Sequence, residues 1–265
     1  MSVYAGDNAE QIELALASLV EQSKKPDEII LVIDGPVSEE IEATIQAYQA
    51  NRLLSIIHLE KNKGAAAARY AGVAAAKCPL IALMDADDIS NKSRFELQLE
   101  KFANSNVDVL GGFIEEFSVR VGDMNSKRKV PLTQDEILSF SKWRNPINNV
   151  TLMFKKEVFE SVGGYSDVRL SEDWDFIIKV LVSNYKVQNI PETLVYVRAG
   201  DDMLGRRRRL VQVIAEVKLF WRMYNLGHMT LLHASSNTLL RVALRILPKF
   251  FTKFLYSKIL RSPLT

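Results

Sequence analysis

Three short apolar runs, each followed by a stretch of helical periodicity or a turn, constrain the fold of this 265-residue chain most strongly. Ile29-Ile30-Leu31-Val32-Ile33 is β-branched and unbroken, and is stopped by Asp34-Gly35-Pro36. Leu80–Met84 is another unbroken apolar run, and residues 55–59 read as a further strand. Continuous apolar runs of this length are the pattern of strands buried on both faces. Residues 38–50 and the Ala-rich 65–77 read as helices between them. Ile12, Leu16, Leu19 and Val20 share a helical face over 8–22, with Asp7 or Asn8 as N-cap. Strand and helix alternating at these spacings predict βαβ units, right-handed crossovers and a parallel sheet. Ser2-Val3-Tyr4 reads as the last residues of one more strand, so the expectation is that the sequence opens part-way into it.

The second half is less regular. Helices are expected over 91–104, 133–142, 155–162 and 172–183, extended segments over 107–117 and 149–154, and short strands over 187–190 and 193–198. No repeat or low-complexity linker interrupts the chain, so one α/β domain is expected over 1–200. The C-terminal end differs in charge. From Arg198 onward thirteen Lys/Arg stand against three Asp/Glu, so the overall +2 divides into about +10 on this end and −8 on the rest. Residues 201–265 are therefore read as a basic helical extension. Arg206-Arg207-Arg208-Arg209 opens it, and Arg241, Arg245, Lys249 and Lys253 recur every fourth residue among apolar neighbours, with a kink at Pro248. Like charges at that spacing destabilise a free helix, whereas an anionic lipid surface offsets them. The expected partner is the inner face of an anionic membrane, and a dimer-forming helix is the competing reading. No recognised nucleic-acid module accompanies the charge.

The single cysteine, Cys78, excludes an intrachain disulfide and fits a reducing compartment, where it reads as a packing residue. No basic-then-apolar leader and no run of about 20 apolar residues is present. The expected location is cytoplasmic, peripheral on the inner membrane.

Candidate chemistry gathers at two acidic clusters. Asp85-Ala86-Asp87-Asp88 follows the third apolar run. Ligands of open α/β sheets bind outside the strand C-termini, and hard carboxylate oxygens there suit Mg²⁺ or Mn²⁺. A capped turn is the bland alternative. Asp34 falls on the same edge and could bind a base or ribose, or simply form an Asp-Gly turn. The stretch from Asn62 through Gly64 to Arg69 is a loop, a glycine and a helix of small residues, with Arg69 placed to meet a phosphate or a carboxylate. The second cluster is Ser171-Glu172-Asp173-Trp174-Asp175. Ser171 reads as an N-cap and the acids complement the helix dipole. Trp174 is expected to be partly exposed, stacking on a sugar or walling a cleft. Neither a Walker A sequence nor G-x-G-x-x-G occurs, which disfavours P-loop NTPases and dinucleotide enzymes.

Taken in order, Ser2–Tyr4, Ile29–Asp34, Asn62–Gly64 with Ala68-Arg69, Leu83–Asp88, Gly163-Gly164-Tyr165 and Glu172-Asp173 resemble the inverting nucleotide-sugar glycosyltransferases of family 2, of GT-A fold. The likeness covers roughly residues 2–200 and is nearest to bacterial capsule, exopolysaccharide and lipopolysaccharide members of the amylovoran type. The resemblance implies a Rossmann-like, mostly parallel sheet flanked by helices. It also implies a nucleotide-sugar site of Tyr4, Ala5, Asp34, Gly64, Arg69, Asp85, Ala86 and Asp87, with Asp87 or Asp88 holding Mn²⁺ or Mg²⁺. Asp173 would be the catalytic base and Glu172 its neighbour. A UDP-sugar donor and a lipid-linked or saccharide acceptor are implied as partners. The family often supplies a late histidine as a metal ligand, but this chain has Arg198-Ala199-Gly200-Asp201-Asp202 there, and Asp201 or Asp202 could substitute. The Q-x-x-R-W signature of processive synthases is absent, which points to transfer of a single sugar.

Three rivals fit less well. A sugar-phosphate nucleotidyltransferase needs a Gly-rich basic loop after its first strand, and Ala5-Gly6-Asp7-Asn8 is not one. A phosphatase with an Asp nucleophile needs its D-x-D after an early strand. A non-catalytic nucleotide-sugar-binding module needs no second acidic pair.

Overall fold

The computed structural model describes residues 1–49, 53–166, 171–199 and 210–246. Its order is β1 (Ser2–Val3), α1 (Ala9–Val20), β2 (Ile29–Asp34), α2 (Glu39–Ala47), β3 (Leu54–Leu59), α3 (Ala65–Ala75), β4 (Leu80–Ala82), β5 (Ile89–Ser90), α4 (Arg94–Asn104), β6 (Val109–Phe117) and β7 (Lys127–Arg128). Next come α5 (Gln134–Phe140), a 3₁₀ turn (Asn149–Thr151), β8 (Met153–Lys155), α6 (Lys156–Ser161), α7 (Glu172–Val182), β9 (Val187–Arg198), α8 (Leu210–Asn225) and α9 (Leu231–Ile246).

The alternating first half folds as its apolar periodicity requires as far as β3. The run at Leu80–Met84 is not a strand of the parallel sheet: β4 covers only Leu80–Ala82, is half-buried, and pairs antiparallel with β8. Asn8 caps α1, its side chain accepting from the Gln11 N–H. β1, β2 and β3 form a parallel sheet in that order, with Val3 opposite Ile33 and Asp34 opposite Leu59. A second, mixed sheet runs β4-β8-β6-β9-β5, with β7 on β6. Parallel pairing holds there between β6 and β9, and the other pairs are antiparallel.

Three further local expectations change. Residues 187–198 form one strand, not two, because Pro191 sits where the β6–β9 register shifts between Gly112 and Ile114. A proline can occupy a strand only where no ladder bond is asked of it. Residues 149–151 coil as a 3₁₀ turn rather than extending, since Thr151 Oγ1 accepts from the Gly112 N–H and Asn148 donates to the Gly112 carbonyl. The room for this packing comes from Gly111, where a Cβ would lie 2.5 Å from the Ile147 side chain. Ser171 stands at the start of α7 but makes no side-chain cap bond, and its carbonyl accepts from the Asp175 N–H.

Two apolar clusters carry the fold. One joins α1 and α2 to the parallel sheet through Ile12, Leu16, Leu31 and Ile41. The larger packs α6 and α7 under the mixed sheet and also takes in Leu219, Phe220 and Met223 of α8 and Ala234 of α9. Burying side chains such as Phe220 and Leu219 is worth about 1.5–3 kcal/mol each, so these helices are held to the body rather than trailing from it. Arg206–Arg209, Asp201, Asp202, Pro248, Lys249 and Lys253 lie outside the described residues. Among the described residues no helix is long and apolar enough to cross a membrane.

Candidate active site

The C-terminal ends of β1, β2 and β4 bring three segments to one edge. Asp34 closes β2 and is buried, its Oδ1 accepting from the Lys63 N–H at 2.7 Å and its Oδ2 from the Gly64 N–H at 2.8 Å. The carboxylate thereby fastens the loop that opens α3. Gly35 must be glycine here, because its φ is +86° and a Cβ would lie 2.6 Å from the Asn62 nitrogen. Tyr4 and Ala5 are exposed at the same edge, with the Tyr4 ring folded over Gly6.

With the start of α3 fixed, Arg69 points one turn in, towards both acidic clusters. Its Nη2 donates to Asp85 Oδ1 at 2.7 Å, and its Nη1 lies 3.7 Å from Glu172 Oε1. Burial opposes its charge, while Asp85 foremost, with Tyr165 and Glu172, drives its pKa upward, so it stays cationic. The sequence left open whether Arg69 meets a phosphate or a carboxylate; in this state it joins two carboxylates.

The Asp85–Asp88 turn lies between β4 and β5 with Ala86 buried beneath it. Asp88 is also buried and accepts from the Arg198 N–H at 2.9 Å. Burial and then the Asp87 and Asp85 charges push its carboxyl well above the usual range. Arg198 further reaches the Asp87 carbonyl at 3.2 Å and lies over the Phe117 ring. Asp7 belongs to this cluster too: burial, then the Asp87 and Asp85 fields, raise it to about 6. Below lies Arg94, wholly buried, donating to the Leu83 carbonyl at 2.9 Å and to Gln98 Oε1 at 3.1 Å. These acids are hard oxygen donors crowded by like charge, a set that fits Mg²⁺ or Mn²⁺. Among the described residues no three acid, histidine or cysteine side chains converge as a ready-made cage.

Across Arg69 stands the second pair. Asp173, half-buried in the first turn of α7, accepts from Asn145 Nδ2 at 2.8 Å. Burial raises its pKa, against the fields of Arg69 and Arg128 and the backbone N–H groups of Trp174 and Asp173. The Tyr165 hydroxyl is buried near this group without a hydrogen-bond partner among the described residues.

Trp174 corrects the sequence expectation. It is buried, donates Nε1–H to the Ser141 carbonyl at 3.1 Å and meets Phe220 of α8 edge-on. Helical phase decides this, because Trp174 follows Asp173 on α7 and turns with Phe176, Ile177 and Ile178 into the larger core. Asp175 is wholly buried and pairs with Arg222 of α8 at 2.7 Å, with Lys179 at 3.8 Å. Asp7, Arg94, Asn145 and Arg198 are members of this site that the sequence does not single out. Asp7 reads from the sequence only as an N-cap candidate for α1.

The glycosyl transferase family 2 model matches residues 1–163. The chain belongs to glycosyl transferase family 2. It is 33% identical over 97% of its length, and 97% of the relative's, to the amylovoran biosynthesis glycosyltransferase AmsE of Erwinia amylovora. It is 31% identical over 98% of its length, and 95% of the relative's, to the UDP-Gal:alpha-D-GlcNAc-diphosphoundecaprenol beta-1,3-galactosyltransferase of Escherichia coli. Among solved structures, the mannosyltransferase PcManGT of Pyrobaculum calidifontis, in complex with GDP-Man and Mn²⁺, superposes with a TM-score of 0.63 at 15% identity, over 97% of this chain and 77% of that one. The family 2 transferase expected from the ordered motifs is therefore borne out, as is the GT-A fold.

Proposed function

We propose that this family 2 member moves a single sugar, with inversion, from a nucleotide-diphosphate sugar, a UDP-sugar foremost, to a hydroxyl of a lipid-linked or saccharide acceptor in bacterial surface polysaccharide synthesis. The observation that carries the reading is a cation shared between two acidic groups: Arg69 touches the donor-side Asp85 and approaches Glu172 beside the candidate base. A carboxylate base within one arginine's reach of a diphosphate site is what a direct displacement needs.

In this reading Asp34 holds the 62–64 loop so that its backbone, with Tyr4, Ala5, Gly64, Ala86 and Asp85, frames the nucleotide. Asp87 and Asp88 would hold Mg²⁺ or Mn²⁺, which supplies Lewis-acid neutralisation of the leaving diphosphate when bound. Mg²⁺ in particular takes few protein ligands and completes its shell from substrate phosphates and water, which suits a two-carboxylate site. Arg69 has a partner on each side and can turn a donor from Asp85 to an incoming phosphate. Asp173 takes the proton of the acceptor hydroxyl as its oxygen attacks the anomeric carbon from the face opposite the leaving group. Burial raises the pKa of Asp173, which strengthens it as a base.

Thermal melting of the full chain with UDP-, GDP- and dTDP-sugars, with and without Mn²⁺, tests this. One nucleotide series should raise the melting temperature in a metal-dependent way, and indifference to all of them would overturn the reading.

We place the protein at the inner face of the membrane. In support, α8 turns Val211, Ile214 and Trp221 outward and α9 turns Leu232, Leu239 and Val242 outward. Exposed apolar stripes beside a basic segment are the composition of an interfacial surface. The full chain should co-float with phosphatidylglycerol vesicles and not with phosphatidylcholine alone, and the triple change Leu232→Ser, Leu239→Ser, Val242→Ser should abolish flotation. Retained flotation, or a shift to dimers in solution that the same changes disperse, would favour the dimer-forming reading.

A further inference from the structure

Loop 141–149 reaches the candidate base through Asn145, and nothing in the sequence marks it as functional. Its Asn145 donates Nδ2–H to Asp173 Oδ2 at 2.8 Å. Which way this amide faces is fixed rather than free. Asn145 Oδ1 accepts from the Ile147 N–H at 3.2 Å, and only an oxygen can do so, which leaves the NH₂ for the carboxylate. The Asn145 backbone is itself anchored, its carbonyl accepting from Arg128 Nη2 at 2.8 Å. The same loop is gripped from its other end by the C-terminal helices. Asn237 of α9 is buried and donates to the Lys142 carbonyl at 2.7 Å, and Arg241 reaches the Trp143 carbonyl at 3.2 Å. Trp143 meets the His233 ring edge-on, and Ser141 bonds His228 at 2.7 Å.

We propose that Asn145 is the positioning residue of the Asp173 base, and that the α8–α9 pair seats it by holding residues 141–143. The proposal rests on the base role given to Asp173 under the proposed function. Physically, a hydrogen bond donated to one carboxylate oxygen favours the ionised form and stops the group from rotating, so the remaining lone pairs present a fixed direction to the acceptor hydroxyl. The groups that share this task are Arg69 from α3, Arg128 from β7 and the first-turn N–H groups of α7, with Tyr165 and Glu172 as the near polar and anionic neighbours. The first turn of α7 leans on α8 through Trp174–Phe220 and Asp175–Arg222, whereas the loop that carries Asn145 is held by α9 through Asn237 and Arg241. Loosening α9 from the body should thus reach the base through the 141–145 loop.

The test reads Asp173 directly. In full-length protein carrying ¹³C-carboxyl aspartate, the Asp173 resonance is the one lost in Asp173→Asn, and its titration midpoint needs no substrate. Asn145→Asp keeps the size and the Oδ1 acceptor for Ile147 but sets a carboxylate where the donor was. It should raise the Asp173 midpoint by at least about one pH unit. Asn145→Ser should raise it less, and serves where the aspartate variant fails to fold. Asn237→Ala, remote from the carboxylate, should move it in the same direction as Asn145→Ser. An unchanged midpoint in a folded Asn145 variant overturns the positioning role. A shift with Asn145→Ser but none with Asn237→Ala overturns the seating by the helices. Transfer that persists in Asp173→Asn would instead strike the base assignment, an outcome these midpoints do not produce.

Discussion

Asp173→Asn should leave donor binding intact and lower sugar transfer by roughly a thousandfold, within the range that general-base catalysis contributes. The amide is nearly the same size and can still accept one hydrogen bond, but it takes no proton from an attacking hydroxyl. Glu172 is a poor replacement although it is the adjacent residue, because it lies 3.7 Å from Arg69 and shares that charge with Asp85. Donor affinity, read by calorimetry with UDP-sugar and Mn²⁺, should stay within about twofold. Nucleoside diphosphate release in the presence of acceptor reads the chemistry. The pH profile of the parent protein gives a second reading. Burial raises the Asp173 pKa, and the base works only when ionised, so activity should fall as pH drops through a midpoint above the ordinary carboxylate range. A wild-type rate for Asp173→Asn, or loss of donor binding along with transfer, would remove Asp173 from the base role.

How far the sequence revealed this arrangement depended on whether a residue's partners were near it in the chain. The run 29–33 and the Ala-rich 65–77 declared their elements because period and length are local properties. Asp85–Asp88 and Glu172-Asp173 declared themselves as clusters. That Arg69 joins them was not legible, since 16 residues separate Arg69 from Asp85 along the chain and Glu172 is far more distant. Asn145 reaches its carboxylate across 28 residues and the Arg198 amide reaches Asp88 across 110. Neither has a pattern around it that differs from an ordinary loop or strand end. Trp174 was misread for a related reason: charge on both sides suggested exposure, but its helical phase and the arrival of Phe220 from α8 put it in the core. The basic extension shows the same limit. Its sequence did not show that Arg222 would answer the fully buried Asp175. Among the described residues, one face of α8 and α9 is therefore spent on the body.

Arg94→Met should produce the largest loss of stability of any single change near the site, about 3–5 kcal/mol. Arg94 is wholly buried and its head ties three elements together: the Leu83 carbonyl after β4 at 2.9 Å, the Leu152 carbonyl before β8 at 3.4 Å, and Gln98 of α4 at 3.1 Å. Methionine fills the stem but supplies no donor, so buried acceptors are left unpaired. It also removes a cation whose pKa burial lowers to about 9 in spite of the opposing fields of Asp85 and Asp88, which leaves those carboxylates facing one another with less compensation. For a chain of this size a loss of that order lowers the melting temperature by roughly 10 °C. Gln98→Leu should cost less, because Gln98 loses its bond to the Thr151 carbonyl but the Arg94 bonds to Leu83 and Leu152 survive. The double variant should fall well short of the sum, since both singles break the Arg94–Gln98 bond. Thermal and urea melts of the three variants decide the matter. An Arg94→Met protein melting within about 2 °C of the parent, or strict additivity with Gln98→Leu, would mean that Arg94 does not support the acidic turn as a charged, hydrogen-bonded unit.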